Sequence, residues 1–128
     1  MAATAWGLAL SRDRGDNWEL ADAGLHASYA RAVALSGETV RLTASTGPFG
    51  GRAALYRRSL GVDGSFTKCE DGLPEWFPGN INSACLATSG RHVAFGTEDG
   101  RIYLSDDMGS TWAQAAKDLP EIRAVRLA

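Results

Sequence analysis

Apolar and polar residues alternate in short runs along most of this chain, and the runs are separated by glycine, proline and small polar residues. Thr39 to Ala44 reads Thr-Val-Arg-Leu-Thr-Ala, a period of two rich in β-formers, which predicts a strand. The same reading predicts strands over Trp6–Leu10, Trp18–Ala21, Ala30–Leu35, Ala54–Arg58, Thr67–Glu70, Ser83–Ala87, His92–Gly96, Arg101–Leu104, Trp112–Ala116 and Ile122–Leu127. Ser36-Gly37-Glu38 and Ser89-Gly90 read as tight turns between strands. Thr46 to Arg52, with three glycines and a proline, is a loop longer than its counterpart Glu98-Asp99-Gly100. The pattern predicts an all-β fold.

The turns repeat. Ser105-Asp106-Asp107-Met108-Gly109-Ser110-Thr111-Trp112 and Ser11-Arg12-Asp13-Arg14-Gly15-Asp16-Asn17-Trp18 place Ser, Asp, Gly and Trp in the same order. Between them, Ser59 to Phe66 keeps a serine and an aromatic seven residues apart without the Asp and Gly. Ser11, Ser59 and Ser105 stand 48 and 46 residues apart, and a leucine follows each aromatic by seven residues, at Leu25, Leu73 and Leu119. A period of this size marks a repeat architecture. Within each turn the glycine supplies positive φ. The aspartate accepts local backbone N–H groups, and the tryptophan pins the return strand to a core.

On Ser11, Asp13, Gly15 and Trp18, and on Ser105, Asp107, Gly109, Thr111 and Trp112, the pattern resembles the Asp-box or BNR repeat of sialidases, sortilin-type receptors and many bacterial proteins. The resemblance implies a β-propeller of four-stranded antiparallel blades. It also implies that the box lies on the hairpin between the third and fourth strands of a blade, away from the ligand face. About three blade equivalents are expected: an outer half-blade over 1–25, blades over 26–73 and 74–119, and the inner strand of a shared blade over 120–128. Three blades do not close a ring, and open edges invite association. The expectation is therefore a ring closed by self-assembly, a dimer of about six blades being favoured, or a piece of a longer propeller.

Composition narrows the class. Hydrophobic residues make up 45% and charged residues 22%, a globular balance, and the net charge of −2 gives no footprint for nucleic acid. No apolar run has the roughly 20 residues of a spanning helix, so no membrane partner is expected. Met1 to Leu10 has no basic lead, and a signal peptide is not expected. Cys69 and Cys85 do not form a disulfide framework, which points to a reducing cytoplasm. With only His26 and His92 and no ligand spacing, neither a metal nor a cofactor is expected.

The resemblance also sets a face. Blade linkers and second-to-third strand loops share one rim, which gathers His26, Tyr29, Phe49, Arg52, Trp76, Phe77 and Asn80, with Arg31 and Arg123 at matching places on inner strands. Such a rim suits a sugar, a peptide or an anion, because aromatics stack and arginine forks onto carboxylates. Trp76 and Phe77 read equally as groove plugs, Arg31 and Arg123 as solvated or paired with carboxylates such as Glu121, and His26 as a surface linker residue. Asp13 and Asp107 are expected to hold their own turns. The leading function is a non-catalytic scaffold or ligand-binding module. The alternative is a sialidase-like glycoside hydrolase. Against it, the Phe/Tyr-Arg-Ile-Pro segment of that family does not occur in this sequence, and paired rim carboxylates are not evident.

Overall fold

The computed structural model describes residues 1–61 and 64–128. The fold is all-β, with three antiparallel sheets in sequence. The first holds β1 (Ala2–Thr4), β2 (Gly7–Leu10) and β3 (Glu19–Ala21). The second holds β4 (Tyr29–Ser36), β5 (Thr39–Ser45), β6 (Ala54–Ser59) and β7 (Thr67–Lys68). The third holds β8 (Leu86–Ser89), β9 (His92–Gly96), β10 (Ile102–Ser105) and β11 (Ala113–Ala116). Each is a meander in which sequence neighbours are hydrogen-bonded neighbours. Two-residue turns led by Gly37 (φ 56) and Gly90 (φ 57) close the β4–β5 and β8–β9 hairpins, as right-handed strand twist requires.

The second sheet is covered on both faces, and β5 shows why. Val40, Leu42 and Ala44 point into one core with Leu8 of the first sheet and Tyr56 and Phe66 of their own. On the opposite face, Ala32 and Leu55 join Val93, Phe95, Tyr103 and Trp112 of the third sheet, with Phe77 between them. Arg41, Thr43 and Ser45 share that second face and are also buried. β4 contacts β1 and β2 on one side and β8 on the other.

Successive sheets are joined by one recurring bond. The Phe66 N–H donates to the Ala23 carbonyl at 2.8 Å, and the Trp112 N–H donates to the Asp71 carbonyl at 3.0 Å. A glycine follows each acceptor. A Cβ on Gly24 (φ +91) would stand 2.1 Å from the Phe66 carbonyl oxygen, and one on Gly72 (φ +86) 2.0 Å from that of Trp112. The joint closes because neither residue has a side chain.

Four expectations are corrected. The first sheet has three strands, not two: β1 pairs with β2 through Ala3 and Leu8, but three residues are too few to show alternation. Ser83–Cys85 is a 3-10 turn, and the strand starts only at Leu86. Residues 120–128 form no strand: Ile122 and Val125 donate to the Thr97 and Ala84 carbonyls, but no ladder builds among the described residues. The middle turn is also out of register with the other two. Tyr56 pairs with Leu42 as Tyr103 pairs with Phe95, so Arg58, not Ser59, stands where Ser105 does. The Arg58 guanidinium ties this turn by different bonds, donating to the Ser59 carbonyl at 3.0 Å and the Gly61 carbonyl at 3.2 Å while lying over Phe66. Val62 and Asp63 of this turn lie outside the described residues.

Candidate functional site

The two Ser-Asp-Gly-Trp turns, the boxes of the repeat, carry the same hydrogen bonds. Ser11 Oγ donates to Asp13 Oδ1 at 2.9 Å and accepts the Gly15 N–H at 2.7 Å; Ser105 Oγ does the same with Asp107 at 2.8 Å and Gly109 at 2.8 Å. Asp13 accepts the Asn17 N–H and side-chain amide at 2.8 and 2.7 Å, and Asp107 accepts the Thr111 N–H and hydroxyl at 2.9 and 2.5 Å. Each indole N–H then donates to the glycine carbonyl at 3.1 Å. Arg14 (φ 61) and Met108 (φ 62) take the left-handed conformation before each glycine.

These bonds set the chemistry of the aspartates. Thr111, through its side chain and then its backbone, with Ser105, holds Asp107 well below the usual carboxylate range. Asn17 and Ser11 lower Asp13 in the same way. Such carboxylates are ionised at neutral pH and carry no proton for a substrate.

The residues expected on one rim fall into three groups. His26 is exposed, with Nδ1 2.5 Å from the Tyr56 hydroxyl and its ring 4.4 Å from that of Trp76. The Lys68 ammonium lies 4.2 Å from the centroid of the Trp76 ring. Burial lowers the His26 pKa; the Arg52 backbone opposes that, and the Arg52 and Lys68 charges add to it, so the imidazole is neutral at pH 7. In the second group, Arg31 Nε donates to Asn82 Oδ1 at 3.0 Å, and Asn82 Nδ2 donates to Glu98 Oε1 at 2.9 Å. The Arg31 guanidinium also lies 5.7 Å from the Tyr29 ring centroid. The third group is the loop before β6, where Phe49 is 98% exposed and Arg52 is exposed with φ 45.

Two of these residues have structural work, and Arg123 stands apart. Asn80 is buried; it accepts the Ser45 hydroxyl at 2.5 Å and donates to the Gly47 and Pro48 carbonyls, clamping the loop rather than facing solvent. Phe77 is core, edge-on to Phe95 and Tyr103, and pairs with Ala53 in an isolated bridge. Arg123 is exposed beside Glu121 at 3.8 Å, in the segment without a ladder, and does not join Arg31.

Sequence reasoning missed Asn82 and Glu98, which hold Arg31, Tyr56, which meets His26, and Arg41. Arg41 is fully buried, with Nη2 donating to the Met108 carbonyl of the second box at 2.6 Å. Burial lowers its pKa, opposed by neighbouring Cys69, while burial pushes the Cys69 thiol up to about 11. No sequence signal marked it, because the cover over that face comes from the third sheet. Among the described residues, no group of three or more His, Cys, Asp or Glu side chains is placed to hold a metal ion, and no helix is long and apolar enough to cross a membrane. A cleft of about 400 Å³, lined by none of the residues expected on the rim, opens beside Leu104 and Ala113 of the third sheet.

A scan against protein-family models finds no match, and no curated protein matches the chain.

Proposed function

We propose that this chain forms part of an Asp-box β-propeller that acts as a non-catalytic scaffold or binding module, its ring completed by self-association in a reducing compartment such as the cytoplasm. The observation that carries the reading is the pair of boxes, whose corresponding hydrogen bonds agree in partner and in geometry. The serial packing of sheets, with the same N–H to carbonyl joint between each pair, supports it further.

The ligand surface in this reading is the rim of Tyr29, Arg31, Arg52, His26 and Trp76. Arg31 brings charge, and Tyr29 and Trp76 bring stacking faces, which suits an acidic sugar or a peptide segment. Asn80 and Arg123 are no longer part of that surface, because one is consumed by its loop and the other stands apart.

Two probes test the reading. A glycan array and a protein pull-down, each repeated with Arg31→Ala and Trp76→Ala, should show binding that both variants weaken. A fluorogenic sialoside and a panel of aryl glycosides should show no turnover. Turnover abolished by Arg31→Ala would favour the sialidase-like hydrolase instead.

A further inference from the structure

The two boxed sheets expose opposite halves of one contact. Leu10 and Leu104 hold the same repeat position, one residue before each box serine. Leu10 is 5% exposed, whereas Leu104 is 43% exposed. Trp18 and Trp112 also hold one position, and here the order reverses: Trp18 is 55% exposed and Trp112 is 7% exposed. What the first sheet leaves bare the third has covered, and the reverse.

The internal joint shows how such faces meet. In the second sheet, Arg41, Arg57 and Thr67 form one row across three strands. The second box sits on that row: Arg41 Nη2 donates to the Met108 carbonyl at 2.6 Å, and Arg57 Nη1 donates to Ser110 Oγ at 2.9 Å. In the third sheet the same row is Ala94, Leu104 and Ala113. No box covers it, and it opens into the 400 Å³ cleft lined by Leu104, Trp112, Ala113 and Leu127.

We infer that the Trp18 face of the first sheet and the Leu104 face of the third are the two halves of a joint that a second copy of this chain closes head to tail. The inference rests on the self-association read above and names its contact. Met108, which enters the internal joint, corresponds to Arg14, and Asp106 stands on the lip of the cleft, so the charges are complementary. The contact is heterologous and closes a ring when its rotation permits. One position fits less well. Gly24 and Gly72, each one residue before its leucine, correspond to Asp118, which holds the same left-handed conformation (φ 58) but carries a side chain.

Complementation tests this joint. Leu20 is 60% exposed on the Trp18 face and Leu104 is exposed on the other, so Leu20→Arg and Leu104→Asp leave the folded chain intact. Light scattering at about 100 μM, a concentration that detects micromolar affinity, should give the wild type at least twice the 13.6 kDa of one chain. Each variant alone should run as a monomer. Their 1:1 mixture should return to a dimer, because it restores one joint with both faces native. Asp118→Gly should tighten association about tenfold by removing the one misfit. A wild-type dimer with a mixture that stays monomeric, or variants that associate unchanged, would overturn this joint while leaving self-association standing. A wild-type monomer would overturn both. Asp118→Gly with unaltered or weaker association would overturn the residue-for-residue correspondence.

Discussion

Ser105→Ala and Ser11→Ala remove the same atom from the same turn in two environments. At Ser105, which is 4% exposed, the hydroxyl is the acceptor for the Gly109 N–H at 2.8 Å, and Gly109 is itself buried. The variant strands a buried N–H, which costs about 2 kcal/mol. At Ser11 the bond to Gly15 is as short, 2.7 Å, but the box around it is exposed and water replaces the hydroxyl. That loss is about 0.5 kcal/mol. For a domain of this size each kcal/mol moves Tm by roughly 4 °C, giving falls of about 8 °C and about 2 °C. Scanning calorimetry in the Leu20→Arg background, where the first box stays open to solvent, is the assay. Equal shifts, or a larger shift for Ser11→Ala, would refute the argument that burial, not the bond itself, sets the worth of each box.

Two further predictions bear on packing and pH. Gly72→Ala should cost more than about 3 kcal/mol by urea unfolding, since its Cβ would meet the Trp112 carbonyl oxygen at 2.0 Å, whereas Gly37→Ala, with open space around it, should cost about 1 kcal/mol. Cys69 contributes to the alkaline limit beside Cys85 and Tyr56, whose pKa values burial also raises. The folded pKa of Cys69, about 11, lies above the ordinary 9.0, so its stabilisation is complete below pH 9 and is lost as pH rises through 11. The urea midpoint should fall across that window by the equivalent of roughly 2–3 kcal/mol, and Cys69→Ala should flatten the fall.

Much of the fold was legible because local chemistry dictated it. The Ser–Asp–Gly–Trp spacing is what a self-bonded turn needs, and it marked both boxes to the residue. The Gly37 and Gly90 turns were visible for the same reason. What was not legible depends on neighbours. Alternation put Arg41 in a strand but did not say that the third sheet would bury it. Asn80 read as a rim amide because only the folded loop brings Ser45, Gly47 and Pro48 around it. The middle box was aligned on Ser59, yet strand pairing puts Arg58 in the serine's place. The run from Ile122 alternates like a strand, but a ladder needs a partner that the described residues do not supply.

The central claim is that each sheet is fastened to the one before it by its aromatic N–H. Native-state amide hydrogen exchange reads those bonds one at a time. The Phe66 and Trp112 amides should be protected nearly as well as those of β5, and in the Leu20→Arg variant the Trp18 amide, which meets no preceding sheet among the described residues, should exchange freely. Phe66 and Trp112 exchanging as fast as Trp18 would contradict it.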